Sequence, residues 1–408
     1  FKSQSAGLPF VLVGLGKMAY CLSREIERED LLVDPFIVTK KIPSNPISSW
    51  KIVTGSHPDI GSESLSAGRE LLSYIDKAQS SGDHEMLVAL TGGASALAEV
   101  LPNGVSETFI FKLNKELLRS GADIEEVNKI RQEFSSLKNG GLLTFTKAKV
   151  VHTFITSDIP SGDYEKVGSS PTIYREPNFN EIRSLIKDLL SIQLKNEALG
   201  FLESEERSKL VRKKEKAFRE KLVHSYLVAD YKKLSKNLKH CFKDKIIIRE
   251  KPYACQMDQA VKEHLLELKN ILRGGDLKSG GFYLTGGETP VLVKGKGLGG
   301  RNTEFVLRMS KAVFFDNILK LEESVLEMIA LASFGTDGTD GETSAAGAWF
   351  DFSAFLKVKK SGLDVDKFLT DNDSYSFFAK TGHLIKIDGA EVNIMDLRII
   401  LLKSKTTG

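Results

Sequence analysis

Several segments of the chain join glycines to hydroxyl or charged residues at the spacing that suits small anions. The longest is Gly286-Gly287-Glu288-Thr289, then Gly295, Gly297 and Gly299-Gly300-Arg301-Asn302. A hairpin does not need so many glycines. At a helix start, Arg301 presents a guanidinium that can grip carboxylate or phosphate oxygens in two places. Near the N-terminus the apolar run Val11-Leu12-Val13 enters Gly14-Leu15-Gly16-Lys17. A strand, Gly-x-Gly turn and helix in that order bring backbone N–H groups towards an anion, and Lys17 would neutralise its charge. Leu90-Thr91-Gly92-Gly93-Ala94-Ser95 repeats the arrangement with added hydroxyls. Ser95 equally suits a helix N-cap, and the segment lacks the Gly-x-x-x-x-Gly-Lys-Ser/Thr pattern of Walker-type NTPases.

The carboxylates fall at strand ends. Asp158 follows the β-branched run Val150 to Thr156, where it could hold Mg²⁺ or a substrate hydroxyl. Asp337 lies in Gly335-Thr336-Asp337-Gly338-Thr339-Asp340-Gly341, after the apolar Ile329 to Phe334. That segment evokes a calcium loop but lacks its terminal bidentate Glu. Asn128, Arg131 and Ser135 are spaced to share one helical face, beside Lys138-Asn139-Gly140-Gly141. Such a face is ordinarily solvated, and only the neighbouring glycines and Lys138 tilt it towards a site. Of the seven histidines, only His57, in Gly55-Ser56-His57-Pro58, sits in a loop of this kind. No His or Cys spacing makes a metal site.

These residues need strands and helices to carry them. Pro9–Val13, Pro35–Thr39, Met86–Leu90 and Val150–Thr156 read as strands, and Lys17–Glu25 and Ala96–Val100 as helices. The strand, polar loop, helix order predicts a largely parallel sheet covered on both faces, with ligand loops at the carboxyl ends of its strands. Glu181 to Lys269 has a helical period, and Glu203 to Lys221 interleaves both charge signs, as a solvated connector does. Glycine-punctuated strands return after Gly280. A chain of 408 residues is expected to form two domains. We assign an α/β domain to 1–225, a helical connector to 226–280 and a second α/β domain to 281–408.

Composition narrows the class. The chain is 41% hydrophobic and 27% charged with a net charge of +3, ordinary for a globular enzyme and without the basic excess of a nucleic-acid binder. Cys21, Cys241 and Cys255 cannot all pair, which suits a reducing compartment. No apolar run approaches the roughly 20 residues that span a bilayer, and the first ten residues carry no signal-peptide pattern. The expectation is a cytoplasmic enzyme acting on small molecules, with no nucleic acid or membrane as partner.

In chain order, Gly14-Leu15-Gly16-Lys17, His57-Pro58, Thr91-Gly92-Gly93-Ala94-Ser95-Ala96-Leu97, Gly121-Ala122-Asp123-Ile124, Ser157-Asp158, Gly286-Gly287-Glu288-Thr289, Gly299-Gly300-Arg301-Asn302, the Gly335 to Gly341 segment, Asn372-Asp373-Ser374 and Asn393 resemble the type II glycerate kinases. The C-terminal part of that family is called the MOFRL domain. The resemblance implies two α/β domains, the first Rossmann-like, with an active-site cleft between them. It implies ATP and Mg²⁺ as requirements, D-glycerate as acceptor and 2-phosphoglycerate as product. It makes Lys17 and Arg301 the expected active-site cations. Beside them, Asp158 or Asp337 would contact the hydration shell of Mg²⁺ or accept the acceptor's proton. Gly16, His57, Gly92, Gly93, Ser95, Asn128, Arg131, Lys138, Glu288 and Asn302 are the expected substrate or phosphate contacts.

The chain departs from the family at Ala94, at Lys138-Asn139-Gly140-Gly141-Leu142, where an Arg is usual, at Ser169-Ser170-Pro171-Thr172 and at Ile387-Asp388-Gly389-Ala390. These departures bear on the acceptor. Two other readings stand beside the kinase. One is an NAD(P)-dependent hydroxypyruvate reductase using Gly14-x-Gly16-x-x-Ala19, although the next strand runs into Lys40 and Lys41 and not into an acid. The other is a non-catalytic ligand-binding relative. The oligomeric state stays open, with a homodimer compatible.

Overall fold

A computed structural model of the chain describes residues 8–26, 31–275, 277, 279–387 and 393–404. It divides into one unit of Phe1–Ser157 with Asp163–Val228 and a second of Asp158–Gly162 with Ala229–Gly408.

The first unit is built on six strands: β1 (Phe10–Leu15), β2 (Phe36–Thr39), β3 (Lys51–Thr54), β4 (Glu85–Leu90), β5 (Val150–Thr156) and β6 (Leu222–Ala229), in the order β3-β2-β1-β4-β5-β6. The pairs from β3 to β5 are parallel. All residues of β1 and β4 are buried, as expected of central strands with helices on both faces. The helices are α1 (Ala19–Ile26), α2 (Ser62–Ser81), α3 (Ala94–Leu97), α4 (Glu107–Arg119), α5 (Ile124–Glu133), α6 (Phe179–Leu189), α7 (Ile192–Leu202) and α8 (Glu205–Arg219). From β1 the chain proceeds towards β2, and from β4 towards β5 on the other side. The loops after β1 and β4 therefore part from each other above adjacent strands, the usual ligand position in such sheets.

The charged stretch departs from the expected connector. Ile182, Ile186, Leu194 and Ala198 of α6 and α7 pack with Phe109, Leu113 and Ile130 of α4 and α5 in one apolar cluster. After α8, β6 joins the sheet edge, where His224 and Tyr226 stack on His152 and Phe154 of β5. A charged surface at helical spacing hid these packed faces.

The second unit contains α9 (Tyr231–Phe242), β7 (Ile246–Ile248), α10 (Met257–Gly274), β8 (Gly281–Gly286), α11 (Arg301–Ser310), β9 (Ile329–Gly335), β10 (Gly347–Asp351), β11 (Leu384–Ile385) and β12 (Asp396–Leu402). Its sheet runs β11-β10-β9-β12-β8-β7, antiparallel except for β7 with β8. Residues 229–275 thus belong to this unit and not to a separate connector, because β7 pairs with β8 and Met257, Leu268 and Ile271 of α10 enter its core. Phe305, Val306, Phe350, Phe377 and Ile400 fill that core. Residues 388–390, one of the departures noted above, lie outside the described residues.

Candidate active site

In the first unit two glycine loops lock together. Lys17 N–H donates to Gly92 O at 2.9 Å, Met18 N–H to Thr91 Oγ1 at 3.1 Å, and Gly16 N–H to Val38 O at 3.1 Å. The first loop's donors are therefore spent on the protein, contrary to the expected backbone anion cradle. What it offers is the Lys17 side chain. Gly16 has φ +130°, and a Cβ there would lie 2.2 Å from Thr91 Oγ1, so only glycine permits the junction. The second loop behaves differently. The N–H groups of Gly92, Gly93, Ala94 and Ser95 have no acceptor among the described residues. A Cβ on Gly93 would lie 2.9 Å from Lys17 Cγ and 3.2 Å from His57 Cδ2, which shows Lys17, Gly93 and His57 to be neighbours.

Cations dominate the surroundings. Burial, then the charges of Lys17, Lys40 and Arg131, push the His57 imidazole down to about 4, so it is neutral near pH 7. Arg131 is buried, donates from Nη2 to Ser95 O at 3.0 Å and has no partner for Nε among the described residues. It thus braces the second loop from below.

Other expected contacts are engaged elsewhere. Lys138 is buried in an ion pair with Glu99, whose other oxygen accepts from Ser135 Oγ at 2.5 Å. Ser135 lies beyond the end of α5, so it does not continue that helical face. Asn128 accepts from Ser169 Oγ at 3.3 Å. Asp123, in the Gly121 to Ile124 motif, caps α5 by accepting from Glu126 N–H at 2.9 Å.

Sequence reading did not find Lys214. It projects inward from the charged α8, and its Nζ donates to Ser135 O at 2.7 Å. Burial pushes its ammonium down to about 8.

In the second unit the ends of β8 and β9 meet the start of β12. Arg301, first residue of α11, donates from Nε and Nη2 to both carboxylate oxygens of Asp396 and from Nη2 to Glu288 Oε1 at 2.7 Å. Asp396 was not legible as a partner, since it follows Arg301 by 95 positions. Partial desolvation raises the Glu288 carboxyl, against the opposing pull of Arg301.

Asp158 accepts from Asn393 Nδ2 at 3.1 Å. Asp337 Oδ1 accepts from Thr339 N–H and Oγ1 at 3.1 and 2.9 Å, closing its own turn. Asn302 is wholly buried, and its side chain accepts from Ser333 Oγ at 2.6 Å.

The glycine cluster has a packing reason. Cβ atoms on Gly295, Gly297 and Gly299 would fall within 2.4 Å of Asp371, Asp373 or Ser374. Asn372 Oδ1 accepts from Lys294 and Gly295 N–H, and Asp373 Oδ1 from Leu298 N–H. Two motifs far apart in the chain thus form one strap leading into Arg301.

Comparison with known proteins agrees with this architecture. Residues 3–203 match the family model described as a domain of unknown function, DUF4147, and residues 281–396 match the MOFRL family. The chain is 29% identical to the D-glycerate 2-kinase of Thermotoga maritima over 96% of its own length and 90% of that protein. It is equally 29% identical to the glycerate 2-kinase of Pyrococcus horikoshii, over 97% and 87%. The crystal structure of glycerate kinase from Thermotoga maritima superimposes with a TM-score of 0.76 at 28% identity, covering 97% of this chain and 92% of that one. With both family segments in order and likeness over nearly the whole length, the chain belongs to the type II glycerate kinase (glycerate 2-kinase) family with a C-terminal MOFRL domain.

Proposed function

We propose that this enzyme transfers the γ-phosphoryl group of ATP to D-glycerate and forms 2-phosphoglycerate. The observation that carries the reading is the Arg301 guanidinium, fixed by Asp396 while Nη1 stays without a partner among the described residues. Phosphoryl transfer asks for positioning and charge stabilisation more than for covalent help. Lys17 and Arg301 would neutralise the glycerate carboxylate and the transferring oxygens. The unbonded N–H groups from Gly92 to Ser95 would add donors. Mg²⁺ carried by the nucleotide would neutralise further phosphate charge, with Asp158 or Asp337 as contact through water. One of these aspartates would accept the hydroxyl proton.

The family supports the kinase, and the first loop speaks against the reductase. A dinucleotide needs free N–H donors at the Gly-x-Gly turn and an acid after β2. Here the donors are spent, Lys40 follows β2, and Thr39 Oγ1 donates to Lys17 O at 3.0 Å. We also propose the cytoplasm as compartment, consistent with three free cysteines. No described helix is long and apolar enough to cross a membrane.

The test is ADP release from ATP by the purified chain, with and without D-glycerate, and phosphorus NMR of the product. Glycerate-independent ADP release, or none, would sink the reading. Oxidation of NADPH or NADH with hydroxypyruvate would favour the reductase.

A further inference from the structure

Arg301 faces two carboxylates that differ in every respect that matters. Asp396 opens β12, opposite Gly335 of β9, and its carbonyl accepts from Gly287 N–H at 3.1 Å. Its side chain is 2% exposed and takes the Nε–Nη2 edge of the guanidinium with both oxygens. Glu288 lies on a loop, its side chain is 42% exposed, and it holds one proton of Nη2 through one oxygen. Nη1 has no partner among the described residues. Glu288 therefore sits on the outer, Nη1–Nη2 end of the guanidinium, the end that an incoming carboxylate or phosphoryl oxygen would need.

Charge sharpens the contrast. One guanidinium between two ionised carboxylates carries a sum of −1, and the Arg398 charge behind Asp396 only brings it to zero, so no net positive charge is left for an anion. One carboxylate has to yield the guanidinium. Asp396 is buried on a strand held between β8 and β9, so moving it would disturb the sheet register. Behind it, Arg398 on the same strand face adds a second positive charge. Arg398 donates to Thr289 Oγ1 at 2.7 Å and lies 4.9 Å from the centre of the Phe305 ring. Glu288 needs only a side-chain rotation.

We propose that Asp396 is the positioning residue of Arg301, fixing the guanidinium edge-on so that its outer end meets the reacting anion, and that Glu288 is the partner the anion displaces. This rests on the kinase reading for its kinetic test but not for its spectroscopic one. Asp396 touches no substrate; it acts through Arg301.

The experiment compares Asp396→Asn, which keeps shape and removes charge, with Glu288→Gln. Asp396→Asn should lower kcat by about 100-fold, the scale of a misaligned catalytic group, with KM for D-glycerate changed by less than about threefold. Its thermal midpoint should fall, because Asp396 also compensates the buried Arg398, so kcat is read well below that midpoint, where the variant is folded. Glu288→Gln should lower that KM, because the anion no longer competes with a charged occupant. Wild-type kcat in Asp396→Asn, or a higher KM in Glu288→Gln, overturns the proposal.

Nitrogen-15 NMR of the Arg301 guanidinium reads the same relation without turnover. The Nε–H signal should be downfield and slow to exchange in the wild type and in Glu288→Gln, and lose both properties in Asp396→Asn. An Arg301 Nε–H in fast exchange in the wild type overturns the proposal, even if Asp396→Asn fails to fold. A chain that makes no ADP from glycerate while keeping this signal would refute the kinase reading and leave Asp396 as the residue that fixes Arg301.

Discussion

Asp340 is joined twice to Thr303: its Oδ2 accepts both the backbone N–H and the hydroxyl of Thr303, each at 2.8 Å. Its Oδ1 accepts Asn302 N–H, also at 2.8 Å. The protein's own carboxylate thus fills the N-terminus of α11, so an anion near Arg301 meets the guanidinium and not the helix end. The pairing also explains Gly300, where a Cβ would fall 2.3 Å from Asp340 Cγ. Asp340→Ala strips a buried cap with three donors. It should lower the unfolding free energy by about 2–3 kcal/mol, measured by urea denaturation, with Asp340→Asn losing less.

Gly93 and Gly121 separate local backbone strain from damage to the site. Both have positive φ, +86° and +77°, but a Cβ on Gly121 meets no atom of the described residues within 4 Å. Alanine at either position should cost about 1–2 kcal/mol of stability. Only Gly93→Ala pushes on Lys17 and His57, and it alone should lower kcat/KM for glycerate, by at least about tenfold. Equal activities in the two variants would contradict the placement of Lys17 in the site.

Lys17→Ala and Arg301→Ala should each reduce kcat/KM by about 100- to 1000-fold, the range for removing one preorganised charge stabiliser. Arg301→Lys should not restore it, since an ammonium cannot span Asp396 edge-on and still present an outer pair of donors. Steady-state ADP release checks both, and near-normal turnover would remove the residue from the mechanism.

Glu99 compensates the buried Lys138. Glu99→Gln leaves that ammonium uncompensated next to Arg131, and breaking such a pair costs about 3–5 kcal/mol. Chemical denaturation should show the loss, and Lys138→Met in the same background should recover part of it.

His264 should make stability depend on pH. Burial, then the charge of Arg398, pushes its imidazole down to about 3. Its Nδ1–H donates to Ala260 O at 2.7 Å, which leaves Nε2 to accept from Thr285 Oγ1 at 2.8 Å. The unfolded chain binds a proton near pH 6.5 that the folded chain refuses, so stability falls as pH drops below that value. Between pH 7.5 and pH 5 the loss should be about 2 kcal/mol from this group. Urea midpoints at the two pH values check the sign. No decrease on acidification would show that His264 is protonated in place.

The strand at Val150–Thr156, the loops around Lys17, Gly92 and Gly93, and Arg301 at a helix start were legible from residue order alone. Local rules govern them: β-branched runs extend, glycines turn, and a cap begins a helix. The family was legible for the same reason, because its motifs are contiguous. The partners of the buried charges were not. Asp396 reaches Arg301, Glu99 reaches Lys138, and Lys214 reaches Ser135 only once strands and helices have closed into sheets and layers. The Gly295 to Gly300 segment read as an anion loop, yet most of its glycines make room for Asp371 to Ser374. The sequence alone determined which charges and turns are available. The tertiary structure decided which charges cancel inside the protein and which remain for a ligand, because a buried ion must find its counter-charge through space.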